Sequence, residues 1–197
     1  HLSSGKVLLV SDLLIAAGRV PNIEQLDLEQ AGVKYNEFGV TVDRNLRTTN
    51  KLVYAIGDIV EGSRFTHTAS YHAGIVLKKI LLGLPSKLRT DHIPQVTYTD
   101  PEIASVGMNF EDAVKRFGKK IERSCVNLKN NDRAITDSKT EGFVEVILLG
   151  TKVIGCSITS KNAGELISFW AFVIAKNIKI SSINAMIPPY PTLGEVN

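Results

Sequence analysis

An aspartate that follows a glycine at the end of an apolar run, Tyr54-Ala55-Ile56-Gly57-Asp58, is the first place in this sequence where chemistry could sit. Glycine lets a ligand approach the backbone closely, and the carboxylate of Asp58 can accept hydrogen bonds from ligand hydroxyls, as strand ends of α/β sheets commonly do. The same aspartate also suits a plain turn former, and the run alone does not separate the two readings. A helical pattern starts shortly afterwards, at Thr66-His67-Thr68-Ala69. Its first N–H groups and the positive end of its dipole would favour an electron-rich ligand. The two cysteines, Cys125 and Cys156, lie far apart and match no metal or redox spacing, so both read as structural thiols and no metal site is expected. His72 and His92 have no nameable partner and read as surface or packing residues. Trp170, beside Phe169 and Phe172, reads as core or subunit interface.

The elements that would carry these residues follow from pattern. Strands are expected over 6–10 and 13–17, the second ended by the turn signature Gly18-Arg19-Val20-Pro21-Asn22. A short helix is expected over 23–30, a Gly39-centred turn, a strand over 40–42, and a buried strand over 50–58 that delivers Gly57 and Asp58. From Thr66 to Leu82, Ala69, Ala73, Val76, Leu77 and Ile80 recur at helical spacing, and Gly83 and Pro85 stop the helix. The polar stretch 85–91 reads as a linker. Beyond it come strands over 95–99 and 104–108, a helix over 111–117 that Asn109 can cap, and strands over 121–128, 143–149 and 153–159. The last two are joined across Gly150-Thr151 as a hairpin. Helices over 163–176 and 181–185 precede a proline-rich tail. Strands followed by helices imply an α+β layer.

Composition narrows the class. With 197 residues, 44% hydrophobic and 22% charged, the chain has ordinary globular content, which excludes disordered and collagen-like classes. The net charge of +3 arises from 23 basic and 20 acidic residues spread along the chain, without the concentrated patch that nucleic-acid binding needs. No apolar run is long enough to cross a bilayer, and the first residues do not read as a signal peptide. A cytoplasmic setting is the expectation, with no nucleic-acid or membrane partner.

Four segments occur here in the order and spacing of a known family. They are Gly18-Arg19-Val20-Pro21-Asn22, the run from Thr48 to Asp58, His67-Thr68-Ala69, and Tyr98-Thr99-Asp100-Pro101-Glu102-Ile103-Ala104-Ser105-Val106-Gly107. Over nearly its whole length the chain resembles the C-terminal part of the class I pyridine nucleotide-disulfide oxidoreductases, which include dihydrolipoamide dehydrogenase, glutathione reductase and mercuric reductase. The resemblance implies that residues 1–20 end the NAD(P)-binding domain, that 21–90 are the returning part of the FAD-binding domain with a linker, and that 91–197 form the dimerisation domain. The implied fold is α+β: an antiparallel sheet with packed helices, preceded by a partial FAD/NAD(P)-binding α/β segment. It implies FAD and NAD(P)H as cofactors of the intact enzyme. Asp58 and Gly57 would then meet the ribityl chain, and the helix start at His67, Thr68 and Ala69 would face the flavin pyrimidine edge.

The glycine-rich dinucleotide loops and the Cys-x4-Cys redox pair of the family are not in this sequence, so the chain reads as a fragment, inactive by itself, of a longer homodimeric enzyme. In dithiol-specific members a histidine occupies the place of Tyr190, and a glutamate matching Glu195 orients it as acid or base. A phenol, with a reference pKa near 10 against about 6.5 for imidazole, is a poor base at neutrality. Mercuric reductases also carry tyrosine there, and Arg133-Ala134 resembles their dimerisation domain, although their C-terminal vicinal cysteine pair is not among these residues. Tyr190 and Glu195 are therefore the candidate catalytic pair, donated across a subunit interface toward a small disulfide or metal-ion substrate. Tyr190-Pro191 is expected to be cis, with Glu195 placed to accept a hydrogen bond from the phenol. Packing of Tyr190 in a proline-rich interface is the competing reading of that residue, and a non-catalytic dimerisation module is the competing reading of the chain.

Overall fold

The computed structural model describes residues 3–197, which divide into two compact units, the first ending at Ser86 and the second spanning Lys87–Asn197. Each is built differently.

In the first unit, regular structure is sparse. Strands β1 (Tyr35–Asn36) and β2 (Gly39–Val40) pair antiparallel as a short hairpin. The Asn36 side chain holds the turn by accepting from the backbone N–H groups of Phe38 and Gly39, at 2.8 and 3.2 Å. Helix α1 (Thr66–Leu82) has the extent that its spacing predicts, and ends where Gly83 turns left-handed and returns its N–H to the Lys78 carbonyl. A small core gathers Val33, Val40, Ala55 and Val60, with Ile23, Leu28, Val42, Val53 and Ile59 packed against it.

Five expectations fail in this unit. The segments 6–10 and 13–17 form no strand, and their side chains stand in solvent, Leu9 at 96% and Leu14 at 90% exposure. A strand needs a ladder partner and a face to bury, and these segments find neither among the described residues. The 23–30 stretch is a series of turns, because Gln25 and Asp27 sit at positive φ (64° and 47°) and interrupt any right-handed helix. The 40–42 strand stops at Val40. The 50–58 run is a looped return: Val53 donates to the Asn50 carbonyl, Thr48 to that of Val53 and Ala55 to that of Leu46, before a 3-10 turn at Gly57–Ile59. Helix α1 also buries an unexpected face. Thr68, His72 and Ile75 are its buried residues, whereas Leu77 and Ile80 are more than half exposed.

The second unit is a five-stranded antiparallel sheet in the order β3 (Gln95–Thr97), β4 (Glu102–Gly107), β7 (Lys152–Ser160), β6 (Phe143–Leu149), β5 (Ile121–Asn127). Helix α2 (Phe110–Phe117) connects β4 to β5 and begins at Asn109, whose Oδ1 accepts the Asp112 N–H at 2.8 Å. A short helix α3 (Asp132–Thr136) precedes β6; sequence pattern missed it because five residues carry too little periodicity. Helix α4 (Ala163–Lys176) lies on β4 and β7, and α5 (Ile180–Ile183) follows.

Core formation here follows directly from two periodicities. Along the strands, Ala104, Val106, Val144, Val146, Cys156 and Ile158 alternate inward; along α4, Ala163, Ile167, Trp170 and Ile174 recur every three or four residues to meet them. Trp170 is a core residue, with its Nε1 donating to Asn197 Oδ1 at 2.9 Å and its ring edge-on to Phe169. Burial pushes the Cys156 thiol pKa far up, while Cys125 is exposed on edge strand β5. Gly155 on β7 lets the backbone of Met108 come against the sheet, where any Cβ would meet the Met108 carbonyl. Gly155→Ala should therefore lower stability by about 1–3 kcal/mol, read as a lower urea midpoint from the fluorescence of the single tryptophan. Gly164→Ala in α4, whose new Cβ would find nothing nearer than 3.4 Å, should leave the midpoint almost unchanged.

Candidate functional site

Gly57 and Asp58 sit in the 3-10 turn that faces the start of α1. Gly57 has φ +72°, a conformation that favours glycine, and a Cβ on it would stand 3.2 Å from the Cβ of Ala69, a tight contact, so the turn meets the helix closely. The turn is held at both of its polar ends. Gly57 N–H donates to the buried His72 Nδ1 at 3.2 Å, and Gly57 C=O accepts from Val60 N–H at 3.1 Å. Burial lowers the His72 pKa, which favours the neutral ring that this acceptor role requires. Sequence reasoning left His72 without a partner. The signal that could have found it is its place four residues after Thr68, on the same helical face.

The helix start itself is uncapped by any side chain. Phe65 occupies the N-cap position and has no side-chain oxygen to offer the first turn. Thr68, only 2% exposed, has a hydroxyl without a hydrogen-bond partner. The His67 ring stacks on Phe65, with centroids 5.1 Å apart. On the Asp58 side, the half-exposed carboxylate stands 3.6 Å from Arg19. Arg64 donates to the backbone carbonyls of Arg19 and Phe38, and Arg19 in turn donates to that of Arg64. Gly57, Asp58, Thr68 and Ala69 are thus brought to one place. It has a carboxylate on one side and, on the other, the partnerless Thr68 hydroxyl at the positive end of α1, which suits a ligand with hydroxyls and an electron-rich ring edge. That donor set fits a flavin.

The second cluster lies in the other unit. Tyr190-Pro191 is cis, as the resemblance implies, and so is Asp100-Pro101. The phenol of Tyr190, however, does not donate to Glu195. It donates to Asp132 Oδ2 at 2.9 Å, at the first residue of α3. Glu195 instead closes a capping box, accepting the Thr192 N–H at 3.1 Å at the start of the last 3-10 turn. Asn131 ties these pieces together: its Oδ1 caps α3 through Ala134 N–H, and its Nδ2 donates to the Thr192 carbonyl. The hydrogen bond to Asp132 raises the Tyr190 pKa, with smaller contributions from the Asp132 charge, burial and Glu195. Among the described residues no cluster of three or more His, Cys, Asp or Glu could hold a metal, and no helix is long and apolar enough to cross a membrane.

Comparison with known proteins places the chain in a family. Residues 93–197 match the pyridine nucleotide-disulphide oxidoreductase dimerisation domain, and residues 1–73 match the pyridine nucleotide-disulphide oxidoreductase family model. The chain is 34% identical to a mercuric reductase of Staphylococcus aureus over 96% of its own length and 35% of that protein's. It is 35% identical to a dihydrolipoyl dehydrogenase of Bacillus subtilis over 93% of its length and 39% of that protein's. It therefore spans well under half of the relatives it matches. Among solved structures, LpdA from Mycobacterium tuberculosis superposes with a TM-score of 0.83 at 27% identity, covering 90% of this chain and 39% of LpdA. The Cu(II) complex of the HOCl-induced flavoprotein disulfide reductase RclA from Escherichia coli gives 0.82 at 26% identity, covering 91% of this chain and 42% of RclA. Members of the matched family use FAD and NAD(P)H. The chain belongs to the pyridine nucleotide-disulphide oxidoreductase family.

Proposed function

We propose that this chain is the C-terminal part of an FAD-dependent NAD(P)H oxidoreductase. Residues 1–20 would close its NAD(P)-binding domain, 21–90 would complete its FAD-binding domain, and 91–197 would pair with a second copy. The observation that carries the reading is the meeting of the Gly57–Asp58 turn with an uncapped helix start that leaves the buried Thr68 hydroxyl without a partner.

FAD, when bound, supplies the capacity to take hydride from NAD(P)H and pass electrons to a cysteine pair. The residues of this chain bind and orient. Asp58 accepts hydrogen bonds from ribityl hydroxyls. The positive end of the α1 dipole, at His67, Thr68 and Ala69, favours negative charge at the ring edge. Gly57 keeps the backbone close enough for both. At the other site Tyr190, held by Asp132, offers a phenol that donates a hydrogen bond and takes up no proton at neutral pH. Glu195 supports it indirectly by fixing the turn that follows Pro191.

Sequence identity does not separate a mercuric reductase from a dihydrolipoyl dehydrogenase here, at 34% and 35%. Tyr190 favours the former, because a phenol whose ionisation is disfavoured is unsuited to taking protons from a dithiol. The substrate proposed is accordingly a soft metal ion held by thiolates, with small disulfides reduced poorly.

Three variants of the full flavoprotein test this. Asp58→Ala should weaken FAD retention about tenfold, the value of one hydrogen bond to a charged group, measured as flavin fluorescence released on dilution; unchanged retention would remove Asp58 from the site. For Tyr190, the phenol donates to a carboxylate, so ionising it sets two negative charges together and the titration is displaced upward. Asp132→Asn should bring the Tyr190 titration back down toward about 10, followed by NMR of 13C-labelled tyrosine. Tyr190→Phe should slow turnover of the true substrate and leave the stopped-flow rate of flavin reduction by NAD(P)H intact. Equal turnover on every substrate would leave the phenol a packing role only.

A further inference from the structure

The amide of Gly57 is buried at a turn and finds its acceptor in a side chain, His72 Nδ1, from the next element of the chain. Such an acceptor is conditional in a way that a carbonyl is not. Imidazole accepts at a ring nitrogen only when that nitrogen carries no proton, so the Gly57 bond fixes the neutral tautomer with its hydrogen on Nε2. With Gly57 pressed against Ala69 and its carbonyl taken by Val60, the imidazole is the third restraint on Gly57, and of the three it is the one that a proton can remove.

We propose that His72 is a positioning residue for the flavin: in its neutral form it locks the Gly57–Asp58 turn against α1, and its protonation releases the turn and with it the cofactor. The proposal rests on the FAD reading of the preceding section.

Among the described residues, the nearby charges of Asp58 and Arg64 are engaged with other groups. The element packed against this part of α1 is the Gly57–Ile59 turn. Its single titratable group, Asp58, has its carboxylate 3.6 Å from Arg19. On α1 itself the adjacent ring is Tyr71, 6.3 Å away between centroids, and His67 lies more than a turn earlier, stacked on Phe65. Arg64, in the segment before the helix, is engaged with the carbonyls of Arg19 and Phe38. His72 itself is 5% exposed, and burial alone lowers its pKa from the ordinary value. The sign follows. The unfolded chain binds the proton near pH 6.5 and the folded chain only at lower pH. Stability from the buried neutral ring is therefore fully present above about 6.5, and is lost as pH falls from there through the lower folded value.

The test uses the full flavoprotein with three forms of this residue. FAD dissociation is followed by flavin fluorescence between pH 8 and 5 in wild type, His72→Gln and His72→Leu, and hydrogen exchange is measured at the Gly57 amide. Glutamine offers an amide oxygen to Gly57 and does not titrate; leucine fills the space and accepts nothing. At pH 8 the leucine form is expected to hold FAD about tenfold more weakly and to exchange the Gly57 amide faster. The glutamine form should match wild type at pH 8 and keep its affinity at pH 5, where wild type loses it. If the leucine form retains FAD as wild type does, or if the glutamine form loses FAD in acid along the same curve, His72 does not position the flavin. Should the leucine form fail to fold, the comparison of glutamine with wild type across pH still decides. A wild-type protein that carries no FAD at any pH overturns the flavin reading and this proposal together, whereas flavin bound indifferently to residue 72 overturns this proposal alone.

Discussion

Close approach of one backbone to another at a position without a side chain is the constraint on which both units rest. In the first, Gly57 brings the turn that carries Asp58 against the second residue pair of the α1 N-terminus, and the polar consequences follow. Its amide must find an acceptor, and His72 is the group within reach. In the second, Gly155 lets the Met108 backbone cross over β7, so β4 can end and turn into α2 without leaving the sheet. In each case the missing methyl group decides where a peptide can lie, and hydrogen bonds then hold it there. The sheet of the second unit has a large apolar face covered by α4, so its geometry is over-determined; the turn of the first depends on a few polar contacts.

What could be read from the sequence differs between the two units for the same reason. Strands β6 and β7 and helix α4 alternate or recur at the proper period over many residues and pack against one another, so their bounds are legible within a residue. Helix α1 is legible in extent because Gly83 stops it, but its buried face is not. The larger apolar residues Leu77 and Ile80 drew the reading to one side, while Thr68 and His72 are the residues buried. Periodicity counts hydrophobicity and is blind to a polar residue that is buried because it has a hydrogen bond to make. In the segment 3–34 the pattern suggested strands and a helix, and the chain adopts neither. Exposed valines and leucines there have no second layer among the described residues to pack on, and left-handed residues at Gln25 and Asp27 are invisible to a hydropathy pattern.

The candidate site was legible by residue type more than by partnership. Gly57, Asp58 and the helix start at Thr68 come together as the motif order suggests. The peptide bond after Tyr190 is cis as the resemblance implies, yet the partner of the phenol is Asp132, 58 residues earlier in the chain. Nothing local signals that contact: it exists because Asn131 caps α3 and also holds the Thr192 carbonyl, which places the head of α3 beside the tail. Glu195, close in sequence, is drawn away by a stronger local geometry, the capping box that satisfies Thr192 N–H. Sequence proximity therefore favoured the wrong carboxylate.

The different settings of the two thiols have a consequence for the chemistry of oxidants and electrophiles. Cys156 is 1% exposed, and its thiolate is suppressed by burial first and by the Glu145 charge second. Since thiolate is the reacting species, this sulfur is silent toward alkylating agents and peroxide for as long as the sheet stays closed. Cys125, on the exposed edge strand, has no such shield. A single chain thus carries one sulfur that reports its surroundings and one that reports only its unfolding, so the rate at which the second becomes modified measures how often strands β4, β6 and β7 come apart.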